Sequence, residues 1–112
     1  MQTVVGTTAY LSDADRLFSP DARMAIVERL ANDPTCGAVI PGSGGLRKVR
    51  FGFGARGKSG GGRIIYLFSG ESLPVFILTV FAKNEKANLS PAERNALAKM
   101  VTEVIENYKR RK

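Results

Sequence analysis

Residues 46–82, LRKVRFGFGARGKSGGGRIIYLFSGESLPVFILTVFA, decide the fold. Three runs within them read as strands: LRKVRFGF (46–53), GRIIYLFS (62–69) and LPVFILTVFA (73–82). Each is rich in β-branched or aromatic residues and bounded by glycine, serine or proline. GES (70–72) is short enough to join the last two as a hairpin. The third run is almost continuously apolar, the mark of a central strand covered on both faces.

Downstream, LSPAERNALAKMVTEVIENYKRRK (89–112) carries a complete helix signature. Ser90 is the N-cap, Pro91 takes the first helical position and Glu93 completes a capping box. Leu97, Met100, Val101, Val104, Ile105 and Tyr108 recur at helical spacing and predict one apolar stripe. The KRRK end is a basic tip that complements the helix dipole.

Upstream, TVVGTTA (3–9) predicts a short strand and SDADRLF (12–18) a short helix capped by Ser12 or Asp13. SPDARMAIVERLANDP (19–34) predicts a longer helix, with Ser19 as N-cap, Pro20 at the first position and Pro34 as its stop. Met24 or Ala25, Val27 and Leu30 are expected to share its buried face. GAVIPGSGG (37–45) reads as a loop with at most a brief extended piece. The order is β-α-α-β-β-β-α. It predicts an α+β fold: an antiparallel sheet of about four strands with two N-terminal helices and one C-terminal helix. At 112 residues the chain reads as a single domain, 1–112.

Composition narrows the chemistry. The chain has no histidine and one cysteine, Cys36. That excludes a Ser-His-Asp triad, a Cys/His zinc site and a disulfide framework. Proton transfer falls to Lys, Arg, Tyr, Glu, Asp, a substrate group or water. No cofactor and no metal are expected. The opening residues lack a basic cluster followed by an apolar run, and no run approaches the roughly 18 residues a membrane helix needs. A cytoplasmic protein with no membrane partner is the expectation.

Charge is lopsided. Residues 1–46 carry three basic and five acidic side chains; residues 47–112 carry fourteen and five. A field of that kind attracts a polyanion, with nucleic acid first and an acidic protein second. Strand periodicity puts Lys48 and Arg50 on one face, opposite Arg47 and Val49. Arg63, opening the next strand, sits beside the first pair. Cations converging on one face suit a phosphate whose charge grows during reaction. Arg56 and Lys58 lie in the glycine-rich connection, where backbone amides also approach an anion closely. Lys83 and Lys86 flank Glu85 after the last strand.

GFGARGKS (52–59) also matches the phosphate-loop pattern of nucleotide-binding proteins. That pattern needs a helix directly after the Ser/Thr. Here three glycines and the strand-like RIIYLF follow, which disfavours a helix and nucleotide binding with it.

GGLRKVRF, GKSGGGRIIY and AKNEKANLS, in this order and spacing, resemble the RelE/ParE toxin superfamily, and most nearly its RelE-like HigB branch. The resemblance covers nearly the whole chain. It implies the toxin of a type II toxin–antitoxin system, a metal-independent endoribonuclease that cuts messenger RNA in the ribosomal A site. There the ribose 2′-hydroxyl attacks the adjacent phosphate. It implies catalytic roles for Lys48 and Arg50 on the second strand, for Arg63 as phosphate stabiliser, and for Lys83 and Lys86 after the fourth strand. Arg47, Arg56 and Lys58 are expected to bind RNA. Where some relatives carry a tyrosine near the C-terminus, the stretch around Asn88 and Leu89 offers none, and Asn84 stands where some have arginine. Lys48 or Lys86 is then the expected base, ahead of Glu85. The implied partners are the 70S ribosome, messenger RNA and a cognate antitoxin with a helix-turn-helix domain, which alone would contact operator DNA. Two other readings keep the fold and drop the cleavage: a ParE-like inhibitor of DNA gyrase, and a non-enzymatic nucleic-acid or ribosome-binding module.

Overall fold

A computed structural model describes residues 2–51, 61–82 and 89–110. The elements run β1 (Val4–Gly6), α1 (Thr8–Leu17), α2 (Pro20–Asn32), β2 (Ala38–Val39), β3 (Leu46–Phe51), β4 (Gly62–Leu67), β5 (Val75–Ala82) and α3 (Pro91–Arg110). Five strands form one sheet in the order β1-β5-β4-β3-β2. The α+β class and the order of the main elements are those expected. The brief extended piece in residues 37–45 is β2, an edge strand paired with Arg47 and Lys48. The sheet is mixed: β1 lies parallel to β5, and the other pairs are antiparallel. A strand that reaches its neighbour only after two helices has made a crossover, which permits parallel pairing.

The two central strands are covered on both sides, as the apolar run 73–82 requires. Ile64, Tyr66, Val75 and Ile77 face α1 and α2, meeting Tyr10, Ala14, Phe18, Ile26 and Leu30. Leu46, Ile65, Leu67, Phe76 and Leu78 face α3. All six residues of the predicted C-terminal stripe pack there, and Tyr108 meets the edge of Phe76 at 5.8 Å. The capping box forms as read: Ser90 N donates to Glu93 Oε1 at 2.9 Å and Glu93 N to Ser90 Oγ at 3.1 Å. No helix among the described residues is long and apolar enough to cross a membrane.

A β-bulge decides which side chains meet on the α3 face. Ile65 pairs with Thr79 but Tyr66 with Ile77, so Leu78 is extra. One extra residue reverses the alternation beyond it. Phe81 thereby joins the α3 face, where strict alternation from Val75 would have turned it toward α1 and α2. The carbonyl of Leu78 accepts a hydrogen bond from Thr7 Oγ1 at 3.0 Å.

Two helices differ from their sequence reading. Helix α1 begins at Thr8, not Ser12, because Thr7 is the cap and accepts from Tyr10 N at 3.3 Å. The threonines that suggested a strand serve there as cap and first turn. In α2 the buried face is Ile26, Leu30 and Ala31, with Ala22 packed beside them. Met24 and Val27 are exposed, at 65% and 44%. The helix carries two apolar rows, and contact with the sheet selects the one through Ala22, Ile26 and Leu30.

Candidate functional site

Strand β3 lies one place from the sheet edge, and its two faces have opposite fates. Leu46, at one end, is fully buried against α3, while Lys48 and Arg50 are exposed on that same face. The cause is the placement of α3. Its start lies near Phe81 and its end near Phe76, so the helix leaves the Arg50 end of β3 open. Register completes the cluster: Lys48 pairs with Ile65, Arg50 with Arg63 and Arg63 with Phe81. Like charges directly across a strand pair repel, so Arg50 and Arg63 oppose folding where they stand. The convergence of Lys48, Arg50 and Arg63 on one face is as expected from the sequence.

Arg63 is half-buried, and its Nη1 is buried without a hydrogen-bond partner among the described residues. A buried donor left unmatched costs on the order of 1–3 kcal/mol, more when charged. Two cavities open on either side of it, of about 260 Å³ and 370 Å³. Lys48 and Arg63 line both. The larger adds Arg50, Cys36 and Ala38. The smaller adds Ile65, Phe81, Leu89 and Arg94. No acid lines either cavity among the described residues. The same residues contain no cluster of three His, Cys, Asp or Glu placed to hold a metal. The chemistry of this arrangement suits an anion with several oxygens, since guanidinium and ammonium groups donate and do not accept.

Arg94 escaped the sequence reading. Its signal was present: it sits three residues before Leu97 and extends the apolar stripe of α3 toward the helix start. A charged residue in line with a packing stripe faces the sheet rather than solvent. Arg56, Lys58, Lys83 and Lys86 lie outside the described residues.

Arg47 lies on the other face of β3. Its Nη1 donates to Gly37 O at 2.7 Å and to Thr35 O at 3.4 Å. Beside it, Tyr66 holds the same loop: its hydroxyl donates to Pro34 O at 2.8 Å and accepts from Gly37 N at 2.8 Å. Burial pushes the Tyr66 phenol up to about 12, against the lowering effect of the Gly37 amide and of Arg47. Gly37 is required at that contact, since a Cβ would meet Tyr66 Oη and Lys48 O at 2.8 Å. This face is thus closed by hydrogen bonds to the loop that precedes β2.

Residues 27–111 match the family model described as the RelE toxin of the RelE / RelB toxin-antitoxin system. The fold is similar to that of E. coli toxin RelE, solved in the free state as a double-arginine variant, with 17% identity and a TM-score of 0.56, covering 76% of this chain and 86% of that one. It is also similar to a chain of the intact E. coli RelBE toxin–antitoxin complex, with 20% identity and a TM-score of 0.55, covering 73% and 96%. With a family match across most of its length and the fold to go with it, the chain belongs to the RelE toxin family, within the RelE/ParE superfamily.

Proposed function

We propose that this protein is the toxin of a type II toxin–antitoxin system, of the HigB-like branch, and an endoribonuclease that cuts messenger RNA in the ribosomal A site. The observation that carries the reading is Arg63, with Lys48 and Arg50 beside it on an open sheet face and one guanidinium nitrogen buried and unmatched. In the reaction the ribose 2′-oxygen bonds to the adjacent phosphorus as the P–O5′ bond breaks. The 2′-proton passes to a base and the leaving 5′-oxygen takes up a proton. Negative charge gathers on the non-bridging oxygens between. Fixed donors aimed at that charge lower the barrier, and a single one contributes about 10²–10³ in rate. Arg63 is that donor. Lys48 and Arg50 hold the flanking backbone, and Lys48 or Lys86 takes the 2′-proton. The ribosome fixes the message in the bent geometry that in-line attack needs. The cations suffice as electrostatic catalysts without a metal.

The partner follows from the same face. A cognate antitoxin lays an acidic segment over Lys48, Arg50 and Arg63 and silences the toxin. A helix-turn-helix domain on that antitoxin carries the complex to operator DNA. The protein acts in the cytoplasm, where translating ribosomes are.

Primer extension on messages in a translation extract tests the reading. Purified toxin cuts within A-site codons and leaves naked RNA largely intact. Intact messages in both arms, with DNA supercoiling blocked, would replace it by a ParE-like gyrase inhibitor.

A further inference from the structure

We propose that Arg94 is a phosphate-binding residue, and that the cavity at the start of α3 receives the RNA backbone phosphate next to the one held by Lys48 and Arg63. The identity of the anion as RNA rests on the nuclease reading above; the anion site itself rests on the geometry of Arg94.

Arg94 stands where a cation is costly. It lies in the first turn of α3, where the helix dipole disfavours positive charge. The neighbouring Glu93 turns one carboxylate oxygen to the Ser90 backbone amide in the capping box. The Arg94 side chain is only partly exposed, and its Nε is buried with no hydrogen-bond partner among the described residues. It lines one cavity with Lys48 and Arg63, whose Nη1 is equally unmatched. The Pro41–Gly45 turn backs the guanidinium: a Cβ on Gly42, at φ 71°, would lie 3.8 Å from Arg94 Cζ. Dipole, like-charge convergence and two unmatched donors are separate costs with one common remedy, an anion between the guanidinium groups.

The layout of the cavities favours a nucleic-acid backbone over an acidic side chain. Lys48 and Arg63 form the shared wall of the two cavities. A strand whose scissile phosphate sits on that wall carries its next phosphate into one of them. In the Arg94 cavity Ile65, Phe81 and Leu89 supply an apolar stretch of wall for the intervening sugar, beside Ser90 and Pro91 at the helix start.

The experiment pairs Arg94→Ala with single methylphosphonate substitutions, which neutralise one phosphate at a time. Two readouts are used: kcat/KM on ribosome-bound message, and low-salt binding of a short 2′-O-methyl RNA that cannot be cut. Arg94→Ala is expected to lower kcat/KM about tenfold, chiefly through KM. The slope of log affinity against log salt falls by about 0.7, the value for one single-strand phosphate contact. A methylphosphonate at one position beside the scissile phosphate weakens the wild type by a similar factor and leaves Arg94→Ala unaffected. Arg94→Lys recovers part of the loss, and the Tm of Arg94→Ala is no lower than that of the wild type. The proposal is overturned if the wild type fails to bind, or if neutral phosphates weaken both proteins alike at every position. It is also overturned if Arg94→Ala binds RNA normally and loses only the antitoxin, which assigns Arg94 to an acidic protein partner. Phosphate coupling without any cleavage by the wild type would sink the nuclease reading and leave this one standing; cleavage without coupling would do the reverse.

Discussion

Arg47 and Arg63 lie on paired strands, yet they live in different chemistry. Arg47 faces the α1/α2 side, where two backbone carbonyls accept from its guanidinium. Arg63 faces the α3 side, opposite Arg50, with a buried nitrogen that has no acceptor among the described residues. The fold supplies acceptors to the first arginine; among the described residues none meets the buried nitrogen of the second. The contrast extends to the surrounding faces. On one, Tyr66 and Arg47 tie down the Pro34–Gly37 loop. On the other, α3 stops short and leaves Lys48, Arg50 and Arg63 around two cavities without an acid among the described residues. The two arginines differ in their acceptors, not in their exposure, since both are half-buried.

Substitutions on the two faces should therefore separate activity from stability. The largest effect belongs to Arg63→Ala, which is expected to slow cleavage about 10²-fold, the scale of a lost transition-state donor. Thermal unfolding should show no loss of stability, because one like-charge pair is removed. Next is Tyr66→Phe, which strands the Gly37 amide and the Pro34 carbonyl and should cost about 2 kcal/mol in denaturant titration. Its alkaline behaviour carries a sign. The folded phenol is raised to about 12 from 10.0, so the folded state holds its proton where the unfolded state has lost it. Stability is full below pH 10 and falls as pH rises toward 12. That decline should be shallower in Tyr66→Phe. Smaller again, Arg47→Ala should cost about 1 kcal/mol of stability, since its hydrogen bonds are partly solvated. The smallest change is a gain. Tyr10 Oη is buried with no hydrogen-bond partner among the described residues and burial raises its phenol, so Tyr10→Phe should stabilise by roughly 0.5 kcal/mol, read as a higher Tm.

Much of this was legible in the sequence because the signals are local. The Ser90–Glu93 capping box, the stripe from Leu97 to Tyr108 and the strands around residues 70–72 all appear where spacing places them. Lys48, Arg50 and Arg63 share a face because strand alternation and one antiparallel register put them there. What was hidden depends on distant parts of the chain. Thr7 reads as a strand residue until the Leu78 carbonyl and the Tyr10 amide claim its hydroxyl. Met24 and Val27 lie on one of two apolar rows of α2, and only the sheet chooses between them. The bulge at Leu78 leaves no mark in an all-apolar run, yet it puts Phe81 opposite Arg63. Strand alternation sets Arg47 apart from Lys48 and Arg50, but its hydrogen bonds to the loop carbonyls of Thr35 and Gly37 span ten or more residues and leave no local mark.

The most direct test is the single-turnover rate of message cleavage on identical ribosome complexes, measured for Arg63→Ala and Arg47→Ala side by side. The open face is the cutting face if the first variant loses about two orders of magnitude while the second keeps the wild-type cut positions and a rate within a few-fold. Equal losses in the two variants, or a normal rate in Arg63→Ala, would contradict that assignment.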